Sequence, residues 1–536
     1  MYYKIITAIL LIGAATSASQ PALSDSVFLD LVQRASFDFF WQEANPSNGL
    51  IKDRSASGAP CSIASVGFGL SSICVAIDHG WITREQGRNR VLTTLKTFWE
   101  KPQGRDSQGY IGYKGFFYHF LYMDTATRLY EQNWKSELSS IDTALLLAGI
   151  LDAKQYFTGP DSLENKIRAL ADSIYYRVDW NWMRNFQPNL MGGWYPETGF
   201  ENWWWRGYNE AMIMCILGLG SPTHPLPLSI WNAWTIGYSW EPHYNYEYVN
   251  FPPLFGHQYS HCWIDFRNIQ DDYMRSRGIT YFENSRRATL AARAYCIANP
   301  RRWAGYGENV WGITACDGPN GYAARGAPPT QNDDGTIAPT AAASSIPFTP
   351  KESLAAMRYM YDTYNSKIWM KYGFRDAFNL TVNWWDTDVI GIDEGPIVMM
   401  IENYRTQSIW KRFMQNPDIQ RGLQAAGFTT ITGVEEKSVA VPSRFSLSQN
   451  YPNPFSANGT FGNPTTTIRF TLPQRERVTL KVFDALGNEA ATLADNEFNS
   501  GEHKVVFTAR EMANGIYFIQ FTAGRFSQIR KAVLMK

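Results

Sequence analysis

The feature that most constrains the fold is a change in hydrophobic spacing near residue 430. Over residues 26–428 apolar side chains recur three and four residues apart, which is typical of helices that bury one face. The first such segment places these residues on one face: Val27, Leu31, Val32, Ala35 and Phe39. After a polar linker at 429–445, apolar and polar residues alternate in runs such as TTTIRFTL, which is typical of strands. The sequence therefore predicts an all-α domain followed by a small all-β domain.

Helix starts are marked by capping residues in the first domain. Thr83 and Gln86 form a predicted capping box, Asp161 stands three residues before Glu164, and Thr349 precedes a proline. We expect roughly ten helices of this kind. Several connections between them are long and rich in Gly, Trp, Tyr and Pro, and ordered loops of that length are usually functional. Helix pairs with such loops at one end predict a helical toroid whose cleft lies at that end.

The C-terminal residues 446–536 contain short alternating runs separated by glycine-containing turns. About 90 residues with this spacing are typical of a β-sandwich. The segment has no cluster of histidines and carboxylates, so we expect no chemistry there.

Charge and composition exclude several classes of function. Lys and Arg total 49, equal to Asp and Glu at 49, so no net field favours nucleic acid or an anionic membrane. The N-terminus, MYYKIITAILLIGAATSASQ, has a basic start, a short apolar run and small residues, which predicts a signal peptide over residues 1–19. No other run has 18 apolar residues, so we expect an exported protein without a membrane-spanning segment. Its six cysteines could pair in an oxidising compartment.

Aromatic residues make up 15% of the chain, and many stand in loops. The stretch GGWYPETGFENWWWRGYN combines them with carboxylates. A sugar ring has an apolar face that aromatic rings can cover and hydroxyls that polar groups can bind. We therefore predict carbohydrate-binding platforms at Trp194, Tyr195, Trp203, Trp204 and Trp205. Core packing is the alternative for each of them, and the three consecutive tryptophans cannot all face the same way.

The segment FSLSQNYPNPF and the following NPTTTIRFTLPQRERVTLKVFDALGNEAATL resemble the C-terminal sorting domain of type IX secretion substrates, with a local insertion at 456–462. The resemblance implies export across the outer membrane by the type IX machinery, followed by release or surface attachment. An unrelated β-sandwich or a sugar-binding module is the alternative.

Three stretches of the helical domain carry a second resemblance: residues 136–157 (SELSSIDTALLLAGILDAKQYF), 193–227 (with WWWRGYNEAMIMCILGLGSPTHP) and 393–410 (DEGPIVMMIENYRTQSIW). They are similar to the glucoamylase-like family that includes the bacterial endo-β-1,2-glucanases. The resemblance implies an (α/α)₆ toroid and glycoside hydrolysis, with β-1,2-glucan as the expected substrate and no cofactor.

Glycosidic cleavage needs one protonated carboxyl group and one carboxylate, and an inverting enzyme keeps them about 6.5–9.5 Å apart. Glu210 follows the aromatic stretch, and Asn209 is a plausible N-cap that would place it in the first turn of a helix. A helix N-terminus favours the ionised carboxylate, whereas burial favours the neutral acid. The resemblance implies that Glu210 is the general acid. The alternative is a glutamate that interacts only with the helix dipole.

Glu137 and Asp142 are the candidates for orienting or activating water. On one continuous helix they would point about 140° apart, since each residue turns by about 100°. An N-cap at Ser139 or Ser140 removes this difficulty, because Glu137 then precedes the helix while Asp142 lies in its first turn. Ordinary capping chemistry is the alternative for Asp142.

Further polar residues near aromatic or glycine-rich sequence are candidate substrate-binding groups: His119, Asp124, Glu197, Arg206, His257, Asp317 and Glu394, with Asp265 and Asp393 as secondary candidates. His257 and His261 have zinc-ligand spacing but lack a third ligand, and Asn332–Gly335 resembles only half of a calcium loop. We therefore predict no metal and no cofactor; Walker and dinucleotide motifs are absent from the sequence.

Two other functions use the same features. A polysaccharide lyase on the same toroid would need a Tyr or His base and cations that neutralise a uronate, and few Lys or Arg stand in the loops apart from Arg206. A surface glycan-binding protein without catalysis would keep the tryptophans and need no acid.

Overall fold

The computed structural model describes residues 23–431, 444–450, 453–456, 465–498, 501–509 and 512–535. The predicted signal peptide, most of the predicted linker and nearly all of the insertion at 456–462 lie outside these residues. The chain divides into two compact units, one ending at Thr430 and the other beginning at Ile431. Among the described residues, no helix has the length and apolar character needed to cross a bilayer.

The first unit is helical, as the sequence predicts. Its helices are α1 Asp25–Gln42, α2 Ile63–Asp78, α3 Arg84–Glu100, α4 Ser140–Tyr156, α5 Ser162–Tyr176, α6 Trp180–Arg184, α7 Met212–Gly220, α8 Ser229–Thr235, α9 Tyr259–Trp263, α10 Asp272–Arg277, α11 Tyr281–Ala298, α12 Pro339–Ala343, α13 Pro350–Ile368, α14 Gly391–Arg405, α15 Ser408–Phe413 and α16 Pro417–Ala425, with a 3₁₀ turn at Leu254–His257. The described part thus has more helices than the ten expected, because several are too short to show a helical period.

The predicted helix starts are largely confirmed. The Thr83 hydroxyl accepts the Gln86 N–H while the Gln86 side chain accepts the Thr83 N–H, which completes the capping box of α3. Asp161 caps α5 by accepting the N–H groups of Leu163 and Glu164. Helix α13 begins at Pro350, although the Thr349 hydroxyl makes no capping bond.

Two kinds of helix build the unit. Helices α2, α4, α7 and α14 are buried along most of their length, whereas α1, α3, α5 and α13 bury one face. Gly67 of α2 and Gly149 of α4 let these two helices approach at backbone distance, since a Cβ on Gly149 would lie 1.9 Å from the Gly67 carbonyl oxygen. The core of the helical domain predicted from the sequence is therefore formed by helix-on-helix packing.

Short strands join the helices. They are β1 Cys61–Ser62, β2 Gly112–Tyr113, β3 Phe116–Tyr118, β4 Phe120–Leu121, β5 Leu138–Ser139, β6 Gly193–Tyr195, β7 Gly199–Phe200, β8 Trp240–His243, β9 Tyr246–Val249, β10 Ile269–Gln270, β11 Ala315–Cys316, β12 Ala323–Ala324, β13 Trp369–Met370, β14 Gly373–Phe374, β15 Phe378–Asn379, β16 Trp384–Trp385 and β17 Thr429–Thr430. Strands β2-β3-β5-β6-β7 form one antiparallel sheet. This sheet brings residues near 118, 138 and 194 side by side.

The second unit contains β18 Ser446–Leu447, β19 Phe455–Ser456, β20 Thr465–Leu472, β21 Glu476–Phe483, β22 Glu489–Phe498, β23 Gly501–Thr508, β24 Gly515–Ala523 and β25 Phe526–Met535. They form a three-stranded sheet, β18-β20-β23, and a five-stranded sheet, β19-β25-β24-β21-β22. Apolar residues of both sheets share one core, for example Phe470 and Phe521, whose rings lie 5.0 Å apart. The separate β domain predicted from the alternating pattern is thus confirmed.

The cysteines differ from the sequence expectation. All six are buried free thiols, and none pairs with another. The helical core therefore holds together without disulfides.

Candidate active site

Glu137 and Asp142 take the arrangement that the sequence predicts. Ser139 is the N-cap of α4 and accepts the Asp142 N–H at 3.1 Å, so Asp142 lies in the first turn and Glu137 just before the helix. His119 stands between strands β3 and β4, and its backbone N–H donates to the Glu137 carbonyl at 2.9 Å. Sheet pairing and the helix cap therefore bring these three side chains together.

His119 bridges the two carboxylates. Its Nδ1 lies 2.7 Å from Glu137 Oε1 and its Nε2 lies 3.5 Å from Asp142 Oδ1, while Ser139 Oγ donates to Asp142 Oδ2 at 2.6 Å. Burial acts against the charged ring, but Asp142, Glu137 and Asp53 outweigh it and raise the pKa of His119 to about 9. Burial also disfavours the Glu137 anion, yet the hydrogen bond from His119 lowers the pKa of that carboxyl. At neutral pH the group is an imidazolium held between carboxylates.

Glu210 does not lie in the first turn of a helix, so the prediction that Asn209 caps it was wrong. Helix α7 begins at Met212, and Asn209 Oδ1 instead accepts the Ala211 N–H at 3.0 Å within the preceding turn. The Glu210 Oε2 atom is buried and has no hydrogen-bond partner among the described residues. Burial, with a further contribution from the Asp142 charge, raises the pKa of Glu210 to about 7. Of the two opposing effects that the sequence left open, burial prevails, and the carboxyl group can donate a proton near neutral pH.

The aromatic stretch is divided between core and surface. Trp205 is buried and donates its Nε1–H to Ser140 Oγ at 2.9 Å, and Trp194 is buried against Tyr113 with ring centroids 5.4 Å apart. The platform prediction was therefore wrong for these two residues, because their faces are covered by protein. Trp203 is 43% exposed and contacts the Trp205 ring edge to face at 4.9 Å.

The remaining aromatic candidates, Trp204 and Tyr195, are half-buried. Trp204 is half-buried, and the exposed Arg206 lies over its ring at 5.7 Å. Tyr195 lies near Glu137, since burial and the Glu137 charge together raise the pKa of Tyr195 to about 12. Glu201, which was not predicted, also lies near Glu137, and burial raises the pKa of its carboxyl.

A cavity beside His119 is lined by residues that the sequence analysis missed, Asp53 and Arg54, and Arg54 contacts the predicted Asp317. Arg54 donates Nε–H to Asp53 Oδ2 at 3.0 Å and Nη1–H to Asp317 Oδ2 at 2.6 Å. A cavity of about 500 Å³ opens beside this pair, and its lining includes His119 and Tyr322 together with Asp53 and Arg54. This volume is within the range of small-ligand sites.

Tyr259, from α9, is influenced by both Asp393 and Glu210. Burial first, and then the charges of Asp393 and Glu210, raise its pKa well above the ordinary value. Asp393 lies in the first turn of α14, and burial raises the pKa of its carboxyl to about 7. The acids at 210 and 393 therefore both act electrostatically on one tyrosine.

Several predicted binding residues have structural partners instead. Glu197 accepts two bonds from buried Arg128, at 2.7 and 3.1 Å, and although burial opposes ionisation, these bonds lower the pKa of Glu197 to about 2. Asp265 pairs similarly with Arg267. Asp124 is exposed in a turn, where its Oδ1 accepts the Thr125 N–H at 2.8 Å. All three carboxylates therefore have hydrogen-bond partners within the protein.

His257 and Glu394 are buried apart from the cleft. His257 packs on Tyr208 with ring centroids 4.8 Å apart, its Nε2 contacts the Phe251 carbonyl at 3.1 Å, and burial lowers its pKa to about 3. The side chain is therefore neutral and is not open to a substrate. Glu394 is 2% exposed, and burial raises its pKa well above the ordinary value, so it is a neutral core acid.

Comparison with known proteins supplies relatives for both units. Residues 202–417 match the sequence profile of the family described as "Putative glucoamylase", and residues 449–535 match the "Secretion system C-terminal sorting domain". An endo-β-1,2-glucanase from Chitinophaga pinensis, solved with sophorotriose and glucose, is 33% identical, with a TM-score of 0.69 over 76% of this chain and 99% of that one. A "putative glucoamylase" from Bacteroides uniformis is 38% identical, with a TM-score of 0.71 over 77% of this chain and 99% of that one.

A curated relative is longer than this chain. The exo β-1,2-glucooligosaccharide sophorohydrolase (non-reducing end) of Parabacteroides distasonis is 33% identical in an alignment of 444 positions that covers 76% of this chain. This chain spans 59% of the length of that protein.

Proposed function

The chain belongs to the glucoamylase-like family, and from this premise we propose that it is a secreted glycoside hydrolase that cleaves β-glucan, with β-1,2-glucan as its substrate. The proposal rests on relatives whose names specify β-1,2-linked substrates, one acting within the chain and one from its non-reducing end. The observation that carries it is the carboxyl group of Glu210, whose Oε2 is buried without a hydrogen-bond partner among the described residues and whose pKa burial raises to about 7.

In the proposed mechanism Glu210 is the general acid. It donates its proton to the glycosidic oxygen as the bond to the anomeric carbon breaks, and the leaving sugar departs as an alcohol. Glu137, with Asp142, takes a proton from a water molecule that attacks the anomeric carbon from the other face. His119 lowers the pKa of Glu137 and contacts both carboxylates, which fixes their orientation. A β-linked substrate then yields an α-anomer, and we expect the acid and base about 6.5–9.5 Å apart.

We also propose that the helices of the first unit form an (α/α)₆ toroid. The fully buried helices α2, α4, α7 and α14 would belong to the inner ring, and the one-sided helices α1, α3, α5 and α13 to the outer ring. The loops that carry Asp53, His119, Glu137 and Glu210 would then open at one end of the ring. The cleft predicted from the long loops would lie there.

Export is the second part of the proposal. The sorting-domain match over residues 449–535 supports passage through the type IX machinery to the cell surface or the medium. Residues 1–19 would be removed as a signal peptide, and 429–445 would link the catalytic domain 26–428 to the sorting domain 446–536. Expression in a bacterium with that machinery, with and without residues 446–536, tests this assignment by locating the protein in cell, surface and medium fractions.

The catalytic proposal is tested with linear β-1,2-, β-1,3-, β-1,4- and α-glucans, following product size over time. We expect new reducing ends from the β-1,2-glucan. Unsaturated products absorbing in the ultraviolet would support the lyase alternative. Binding without turnover by the wild-type protein would support the glycan-binding alternative.

A further inference from the structure

A second group of acids is not used in the proposed hydrolysis. Asp317 follows strand β11, Asp376 stands between β14 and β15, and Asp386 follows β16. One carboxylate oxygen from each of these residues lies within 4.8 Å of the others. Asp376 and Asp386 are 3% and 6% exposed, so most of this negative charge is removed from water. We call these three residues the Asp317 cluster.

Each acid of the cluster is anchored through one oxygen. Asp376 Oδ2 accepts the Asp317 N–H at 2.7 Å, and Asp386 Oδ1 accepts the N–H groups of Thr387 and Asp388 at 2.6 and 3.1 Å. The other oxygens, Asp376 Oδ1 and Asp386 Oδ2, are buried and have no hydrogen-bond partner among the described residues. Buried carboxylate oxygens without a partner are costly, so this arrangement needs a proton or a cation.

A fourth acid, from a different element, faces the same cluster. Asp393 of α14 is 4% exposed, and its Oδ2 is likewise buried without a partner among the described residues. Only protonation of one of the two acids would let this carboxyl group form a hydrogen bond with Asp376, and the Asp317 charge also acts on it. Arg54 binds Asp317 through Nη1 and supplies one positive charge to the group. The three acids of the Asp317 cluster and Asp393 are thus close together, and the Arg54 guanidinium contacts one of them, Asp317.

We propose that the Asp317 cluster, with Asp393, binds a calcium ion. The cluster oxygens all lie within 4.8 Å of one another, a separation that ligands of one calcium ion at about 2.3–2.6 Å can have. Calcium accepts an irregular set of oxygen ligands such as this one, whereas magnesium needs shorter bonds of about 2.0–2.1 Å and a stricter octahedron. The ligands are all hard carboxylate oxygens, which disfavours zinc and copper.

The Glu137–Asp142 pair differs from the Asp317 cluster in its cationic partners. Glu137 and Asp142 both contact the cationic His119 ring, whose pKa is raised to about 9, so each carboxylate has a cationic partner. In the Asp317 cluster only Asp317 has one, Arg54, and no ion pair to Asp376 or Asp386 is found among the described residues.

Calcium in this position would join three parts of the cavity wall. The cluster connects the β11–β12 hairpin, the β15–β16 hairpin and the start of α14. Through Asp317 it also holds Arg54, which lines the cavity. The expected consequence is a stiffer wall and a higher unfolding temperature, measurable without any substrate.

The first test uses the wild-type chain, stripped with EDTA and dialysed at pH 7.5. Calcium chloride at 100 times its Kd should raise the unfolding temperature by about 5 °C, and magnesium should raise it less. Terbium should show saturable luminescence sensitised by Trp384 and Trp385, which precede Asp386, and calcium should displace it. Equal unfolding temperatures in EDTA and calcium, with no saturable terbium signal, would overturn the proposal and leave shared protons as the explanation of the cluster.

A pair of variants locates the site. Asp386→Asn should lose the calcium-dependent shift, whereas Asp124→Asn, which alters an exposed turn acid, should keep it. An equal loss in both variants, or a full shift in Asp386→Asn, would refute the assignment. Should Asp386→Asn not fold, Asp317→Asn serves instead, and the wild-type terbium titration decides by itself. Because no readout involves glucan, failure of this proposal is distinct from failure of the proposed hydrolase.

Discussion

Replacing Glu210 with glutamine tests both the chemistry and the electrostatics of the site. Glutamine keeps the size and polarity of the side chain but cannot donate the proton. Removal of a general acid costs about 10²–10⁴-fold in kcat, and we expect a loss of this size. The wild-type kcat/KM should fall about tenfold per pH unit above pH 7, since the pKa of Glu210 is about 7 and the acid must be protonated.

The same substitution should make the protein more stable in base. Burial raises the pKa of Glu210 from 4.5 to about 7, so ionisation costs about 3 kcal/mol more in the folded protein than in the unfolded chain. The unfolded chain releases this proton above pH 4.5 and the folded protein only above about pH 7, so the free energy of unfolding falls across that window. Glutamine does not ionise. Glu210→Gln should therefore match the wild type at pH 4 and exceed it by about 3 kcal/mol at pH 8.

The assay pairs reducing-sugar release with urea unfolding at pH 4, 6 and 8. Glu201→Gln is the matched control, because burial raises the pKa of this nearby glutamate as well but the mechanism gives it no proton to donate. Activity within tenfold of wild type in Glu210→Gln would refute the acid assignment. A variant less stable than wild type at pH 8 would refute the argument that burial sets the pKa.

Further predictions concern the surroundings of the site. Trp203→Ala should raise KM without changing stability, whereas Trp205→Ala should lose about 3–5 kcal/mol in urea unfolding, because only the second ring is buried. Arg128→Gln should lose about 3 kcal/mol of unfolding free energy, since it leaves Glu197 without its buried partner. His119→Gln should be less stable than wild type below pH 6.5, with the difference vanishing as pH rises through 9, because the stabilising charge is lost there. A reductant should leave the unfolding temperature unchanged, since all six cysteines are free.

The sequence predicted those parts of the structure that depend on local interactions. The change of hydrophobic period separates the two units, and Ser139 caps α4 as the positions of Glu137 and Asp142 require. Glu210 was selected by its aromatic context. The prediction that Glu210 lies in a helix was wrong. The Asn209 side chain accepts the Ala211 N–H within a turn, and Glu210 stands two residues before the helix begins at Met212.

What the sequence missed depends on long-range contacts. Asp53 and Arg54 stand in the unremarkable stretch LIKDRSASG, and they reach the cleft only because Arg54 pairs with Asp317, 263 residues away. Glu197 looked available until Arg128 was placed beside it. Burial of His257 and Trp194 likewise follows from packing between distant elements. Local sequence shows which side chains are chemically capable, and tertiary contacts determine which of them are free to act.

The central claim is that Glu210 and the Glu137–Asp142 pair hydrolyse β-1,2-glucan with inversion. Proton NMR of the wild-type reaction on linear β-1,2-glucan, recorded before mutarotation, tests it most directly. The account predicts that the new reducing ends appear first as the α-anomer. Initial release of the β-anomer, or no new reducing ends at all, would contradict it.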